Sequence, residues 1–262
     1  LSFYLTMCML FIACTNADVD ELRGTGFENG IPHHVVASLD SNDTRIELND
    51  ELQTVWTSGD KVSVFYKSTA NNLFTYTGAT GEKSGTLVRN TSNSGVPINN
   101  IIAIYPYVAS YKLKPATKSV NINIPATQHH LEGSYGLGDN LMVAMSDNDN
   151  LNFRNAYGWI RIELMGTKCV KSLTLSGNND EQLSGSATLS CASLGLELTA
   201  GDDDVASRST TIDCGNGVQL VASSPTAFYF VVAPQTFSKG FNVEVVFTDG
   251  TTIAKSTSKS VA

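Results

Sequence analysis

Ala227-Phe-Tyr-Phe-Val-Val-Ala-Pro-Gln-Thr-Phe-Ser-Lys-Gly-Phe-Asn-Val-Glu-Val-Val-Phe-Thr-Asp-Gly250 reads as two strands and their connection. Phe228, Phe230 and Val232 fall on one face of the first run. Phe241, Val243, Val245 and Phe247 recur at period two in the second, with Asn242, Glu244 and Thr248 outside that face. This is the period of a half-buried strand. Pro234 stops the first run, Gly240 precedes the second, and Asp249-Gly250 is a hairpin-type turn signal. One hairpin cannot bury so aromatic and β-branched a face, so a second sheet must cover it. The stretch predicts a β-sandwich.

Working back along the chain, strand signals start at His34–Leu39 and recur at Arg45–Leu48, Gln53–Trp56, Lys61–Tyr66, Leu73–Tyr76, Ile101–Tyr105, Val120–Ile124 and Asn140–Ala144. Turn residues separate nearly every pair, and no long segment has helical period, which argues for an all-β chain. Ser146-Asp-Asn-Asp-Asn150 is polar and lacks an apolar anchor, so it predicts a domain boundary. Beyond it, Leu151–Leu164 alternates as one long strand, followed by runs at Val170–Leu175, Gly185–Leu189, Leu194–Leu198, Val218–Val221 and Thr251–Lys255. The expected organisation is a signal peptide at 1–13, a tether or propeptide at 14–32, and β-sandwiches at 33–147 and 151–262.

The chain has 262 residues and a net charge of −8, with no basic stripe, so a nucleic-acid backbone is excluded as a partner. Leu1–Ala13 has the length of a signal-peptide apolar region and is too short for a membrane-spanning helix. Leu10-Phe-Ile-Ala-Cys14 resembles a bacterial lipobox, in which Cys14 is the residue that receives the lipid. The expected address is the outer membrane and cell surface, reached through acyl chains on Cys14. The first residue is Leu, and the reading expects residues before it. Cys169, Cys191 and Cys214 have no CxxC pair and no zinc spacing; one disulfide among them is an open alternative to buried thiols.

A search for chemistry finds little. His33-His34 and His129-His130 are the four histidines; strand neighbours point to opposite faces, so no metal site is expected from either pair. Gly78–Ser84 lacks the Gly-Lys adjacency of a phosphate loop and reads as a strand connection. Asp202-Asp-Asp204 lacks alternating calcium ligands and reads as a solvated turn. No nucleophile elbow and no HExxH helix is present, so neither catalytic residues nor a cofactor are expected, and the chain is read as a non-enzyme. Trp56, Tyr66, Tyr105, Tyr107 and Tyr111 could form a sugar-stacking platform, the basis of an alternative reading as a monomeric glycan-binding surface lipoprotein, although most aromatic residues at strand positions are core or rim.

Several stretches in order carry a resemblance. Trp56–Phe65, Ile104-Tyr-Pro-Tyr107, Asn140–Ala144, Leu151–Ala156, Ser172–Gly177, Phe228–Pro234 and Phe241–Val245 together resemble the Bacteroidetes fimbrillin-like proteins, over nearly all of His34 to Ala262. Two departures stand out: Arg154 occupies a position where the family often has His, and Thr257–Ala262 looks like the approach to a further strand. The resemblance implies two tandem transthyretin-like β-sandwich domains and a role as a fimbrial or adhesin subunit precursor. It further implies partners that are other pilus subunits joined by strand donation, a fimbrial location, and a host or bacterial surface ligand. It also implies cleavage after an arginine that sheds an N-terminal strand; Arg45 and Arg23 are the candidates, with Arg45 preferred because a cut there releases Val35 to Leu39.

Overall fold

The structure is a computed structural model and describes residues 31–39, 47–48, 54–193, 195–198 and 208–261, with the backbone alone at 47–48, 54 and 195–198. The signal peptide, the tether up to residue 30, Cys14, Arg23, Arg45 and Asp202–Asp204 lie outside the described residues. The expected tether is corrected at its last two residues, Ile31 and Pro32, which are buried, Ile31 within a hydrophobic core.

Short apolar-alternating runs punctuated by Gly, Asn and Asp turns give strands almost throughout. The first half contains β1 (His34–Leu39), β2 (Glu47–Leu48), β3 (Thr54–Val55), β4 (Lys61–Ser68), β5 (Asn72–Tyr76), β6 (Ser84–Arg89), β7 (Pro97–Tyr105), β8 (Leu113–Lys114), β9 (Ser119–Ile124), β10 (Thr127–Leu131), β11 (Ser134–Tyr135) and β12 (Met142–Ser146). The remainder contains β13 (Asn150–Asn155), β14 (Gly158–Leu164), β15 (Cys169–Gly177), β16 (Gly185–Ser190), β17 (Gly195–Leu198), β18 (Ser209–Gln219), β19 (Thr226–Val232), β20 (Phe241–Phe247) and β21 (Thr252–Ser256). The all-β expectation holds.

Seven strands in the order β1-β13-β12-β7-β4-β5-β6 close into a barrel. Its interior is filled from alternate positions by Val62, Val64, Phe74, Tyr76, Leu87, Ile101, Ala103, Met142, Leu151 and Phe153 around a fully buried Trp56. The Trp56 ring stacks on Tyr76 at 5.2 Å and meets the edges of Phe153 at 5.2 Å and Tyr105 at 6.0 Å. Offset and edge-on arrangements of this kind add to the area that they bury.

A six-stranded sheet, β11-β10-β18-β15-β20-β21, faces the two-stranded sheet β14-β19. Between them lie Leu173, Leu175, Ile212, Val243, Val245 and Phe247 from the large sheet and Phe228, Phe230 and Val232 from β19. The aromatic stretch therefore does lie against a second sheet. Its other face is buried as well: Tyr229, Val231 and Ala233 share a core with Phe65, Ile102, Ile104 and Val143 on the outside of the barrel. Val120, Ile122, Ala187 and Leu189, from a third sheet ordered β17-β16-β9-β8, complete that core. β19 is thus the strand on which barrel and C-terminal layers meet.

The expected division at 146–150 is corrected. Ser146–Asn150 is the turn between β12 and β13, which pair within one barrel through Met142↔Asn155 and Val143↔Arg154. Asn148 N–H donates to Ser146 Oγ at 3.2 Å and Asn150 N–H to Asn148 Oδ1 at 3.0 Å, the local turn bonds that Ser and Asn favour. The chain leaves the barrel at Ala156-Tyr157 instead, so the alternating run Leu151–Leu164 is two strands, β13 in the barrel and β14 in the C-terminal layers. Strands β8 and β9 join a sheet with β16 and β17, and β10 pairs in parallel with β18. The spans 33–147 and 151–262 therefore share sheets, and most of the strands of the N-terminal span close with β13 into a barrel where a β-sandwich was expected.

One buried side chain ties these layers together. Gln128, 2% exposed, donates from Nε2 to the Val231 carbonyl at 2.6 Å and to Thr210 Oγ1 at 3.0 Å. Its Oε1 accepts from Val231 N–H at 2.8 Å. The amide thus stands in for a strand backbone between β10 and β19 and leaves neither partner unsatisfied.

Candidate functional site

The barrel is closed by β1, whose two neighbours are remote from it in sequence. It runs antiparallel to β6, from His34↔Val88 to Ser38↔Ser84, and parallel to β13, from Val36↔Asn150 to Leu39↔Phe153. Alternation sends Val35, Ala37 and Leu39 into the barrel core. Val36 stays 44% exposed. Val35 and Leu39 together stabilise the closed form by roughly 3–6 kcal/mol through apolar burial.

Both ends of β1 are pinned by groups of its neighbours. Upstream, Arg89 Nη1 donates to the Ile31 carbonyl at 2.8 Å and Arg89 N–H donates to the His33 carbonyl at 2.8 Å. Along the strand, Val36 N–H donates to the Asp149 carbonyl at 2.9 Å and Leu39 N–H to the Lys83 carbonyl at 3.0 Å. The Asp149 carboxylate in turn accepts from Tyr66 Oη at 2.8 Å. Burial, with that bond and the nearby negative charge, pushes the Tyr66 hydroxyl well above its ordinary pKa. Beneath β1 the lining is apolar: Trp56, Leu87, Leu151 and Phe153. What this arrangement offers is a strand-shaped place, with a backbone ladder on each side and an apolar floor.

The sequence reading found β1 but missed both clamps. β6 was not among the predicted strands, although Gly85-Thr-Leu-Val-Arg89 alternates, and Arg89 drew no attention as an isolated base. Arg45 falls in the connection between β1 and β2, and Arg23 precedes residue 31; both lie outside the described residues, as does Cys14.

The aromatic platform does not exist as a surface. Trp56, Tyr66 and Tyr105 are at most 8% exposed and belong to the barrel core. Tyr107 and Tyr111 are half-buried, and burial holds the Tyr111 hydroxyl up at about 12. Strand positions with alternate phase decided this, since aromatic residues at inward positions are core. The adjacent histidines of β10 do diverge: exposed His129 has Nδ1 3.6 Å from Asp139 Oδ1, while half-buried His130 packs on Phe228 at 4.9 Å. Among the described residues no cluster of three or more metal-ligating side chains occurs. Gly78–Ser84 joins β5 to β6 as a strand connection. Cys169, Cys191 and Cys214 are all free thiols, and burial raises Cys191 and Cys214 to about 12, which leaves them unreactive at neutral pH.

No family model matches the chain, and no curated protein matches it. Among solved structures, it is similar to a Bacteroides ovatus protein for which a cell-adhesion role is proposed, at 12% identity and a TM-score of 0.52 over 87% of each chain. That likeness extends across both the barrel and the C-terminal layers and establishes a shared all-β fold.

Proposed function

We propose that this chain is a surface adhesion subunit that works by contact rather than turnover. In this reading it belongs with the fimbrillin-like proteins and their transthyretin-like layers, is held at the outer membrane by lipid on Cys14, and joins other subunits into fimbriae. The observation that carries the assembly step is the position of β1, closing the barrel between β6 and β13 while linked to the rest of the chain only through 40–46. A cut after Arg45 leaves β1 attached by non-covalent contacts alone. Its departure exposes two unpaired strand edges over Trp56, Leu87 and Phe153, an acceptor for an alternating apolar segment of a neighbouring subunit. Such contacts run head to tail and propagate as filaments. The cell-adhesion role proposed for the Bacteroides ovatus protein agrees with this direction. A surface ligand on a host or bacterial cell completes the role.

Limited trypsin digestion, N-terminal sequencing and electron microscopy test the reading together. A new N-terminus at Ile46 and concentration-dependent filaments are expected. A chain that stays uncut at Arg45 and Arg23, or is cut there and remains monomeric without β1, sinks it.

A further inference from the structure

The C-terminal layers leave one edge uncovered. β14 pairs with β19 from Gly158↔Val232 to Leu164↔Thr226, and its other edge carries no strand among the described residues. The facing sheet does not stop with it: β20 and β21 run past, leaving a groove of about 300 Å³. Ile162, Glu163 and Leu164 line one side, and Phe241, Val243, Val245, Ile253 and Lys255 the other. Ile253 remains 46% exposed. A strand edge without a neighbouring strand, beside an apolar slot, is matched by an extended peptide, which supplies a ladder and buries alternate side chains.

The sequence of that edge points to an occupant. β14 ends in Arg161-Ile-Glu-Leu164, and the same four residues occur once more as Arg45-Ile-Glu-Leu48. The tetrapeptide is complementary to itself when laid antiparallel. Arg45 then stands opposite Glu163, Glu47 opposite Arg161, Ile46 opposite Ile162, and Leu48 opposite Ile160. Both charge pairs fall on the outer face, where Arg161 and Glu163 are exposed and at present pair with each other at 2.6 Å. Both apolar pairs fall on the groove face. Directly opposed unlike charges and apolar pairs are the units that stabilise a sheet.

Of a chain's own copy, the described residues Glu47 and Leu48 sit at the wrong edge. Glu47–Leu48 pairs with Thr54–Val55 in a two-residue ladder beside β11, at the opposite end of the large sheet from β21. We propose that the free edge of β14 accepts Arg45–Leu48 of a second copy of this chain, released from its short ladder with β3. The contact joins one edge of the molecule to the other edge of the next, so it propagates rather than closes. It needs the chain uncut at Arg45, and it does not involve the β1 place in the barrel.

The uncut full chain and a fluorescent peptide spanning Asn42–Asp50 test this by anisotropy. Saturable binding is expected, weakened about tenfold by R161E/E163R in the protein. A peptide carrying R45E and E47R is expected to recover that loss on the charge-reversed protein. I253K, at an exposed position on the groove wall, is expected to weaken both peptides alike. No saturable binding, or binding indifferent to the charge reversal or to I253K, overturns the proposal. These variants leave β1 untouched, so failure here and failure of strand exchange at the barrel are separate results.

Discussion

The barrel and the C-terminal layers are built from the same materials and end differently. Each packs β-branched and aromatic side chains from alternate strand positions into an apolar interior. In the barrel every strand has two neighbours, because β1 is inserted between β6 and β13 although neither adjoins it in the chain. In the C-terminal layers six strands face two, so among the described residues β14 keeps one edge without a strand and β20–β21 overhang it. The difference lies in strand count, not in core chemistry. A closed sheet hides its edges inside the fold, whereas an unequal pair of sheets leaves an edge for another chain.

The sharpest way to break this comparison is to empty the two interiors in turn. Trp56→Ala is expected to cost about 3–5 kcal/mol in urea unfolding, because the barrel is closed around the cavity and cannot collapse onto it. Phe241→Ala, on the half-buried groove wall, is expected to cost about 1–2 kcal/mol, since less area leaves water there on folding. Equal costs would mean that the groove is as well packed as the barrel and is no opening at all.

Gln128→Leu probes the joint between the two regions. It removes both bonds to Val231 and leaves that buried backbone N–H and carbonyl without the amide, an expected loss of about 2–3 kcal/mol in the same measurement. Tyr66→Phe probes the closing strand. Without its hydroxyl the Asp149 turn loses the brace that holds the carbonyl for Val36 N–H, and about 1 kcal/mol is expected to go. Faster amide exchange along β1, with β19 unchanged, would place that loss at the seam.

Much of this fold was legible because strand alternation is local. Phe228, Phe230 and Val232 announced their face, and β1, β9 and β20 follow their alternation closely. What was not legible is partner choice. Ser146–Asn150 has the composition of a linker and is a hairpin turn, because Ser and Asn side chains satisfy a tight turn as readily as a solvated connection. Leu151–Leu164 keeps its period across Ala156-Tyr157, so nothing in it marks the passage between sheets. β18 extends from Ser209 to Gln219, yet Gly215, Asn216 and Gly217 hid its first part, since such residues ordinarily punctuate strands. Trp56 could be read as core or as part of a surface platform, for want of any local cue to which face is inward; it is core. Arg89, the clamp on Ile31, is a long-range partner and leaves no local trace.

The smallest expected effect tests how independent the groove wall is of the barrel. The turn joining β20 to β21 is built on Asp249, whose Oδ1 accepts from Thr251 N–H at 2.9 Å and from Thr251 Oγ1 at 2.6 Å. Lys168 Nζ donates to Oδ2 at 3.0 Å. These donors, the Thr251 bonds first, pull the carboxyl from the ordinary 3.8 down to about 2. A depressed folded-state pKa means that its contribution is whole above about pH 4 and is lost as pH falls through about 2. Thr251→Val removes the side-chain donor, so the Asp249 carboxyl followed by NMR is expected to titrate closer to 3.8. Amide protection along β21, taken relative to the intrinsic exchange rate at each pH, should then fall on acidification between pH 4 and 2 earlier than in the parent chain, while β5 and β7 in the barrel keep their protection. A matching fall in the barrel would show that the hairpin and the closed sheet open as one unit, and the distinction between the two regions would be one of shape alone.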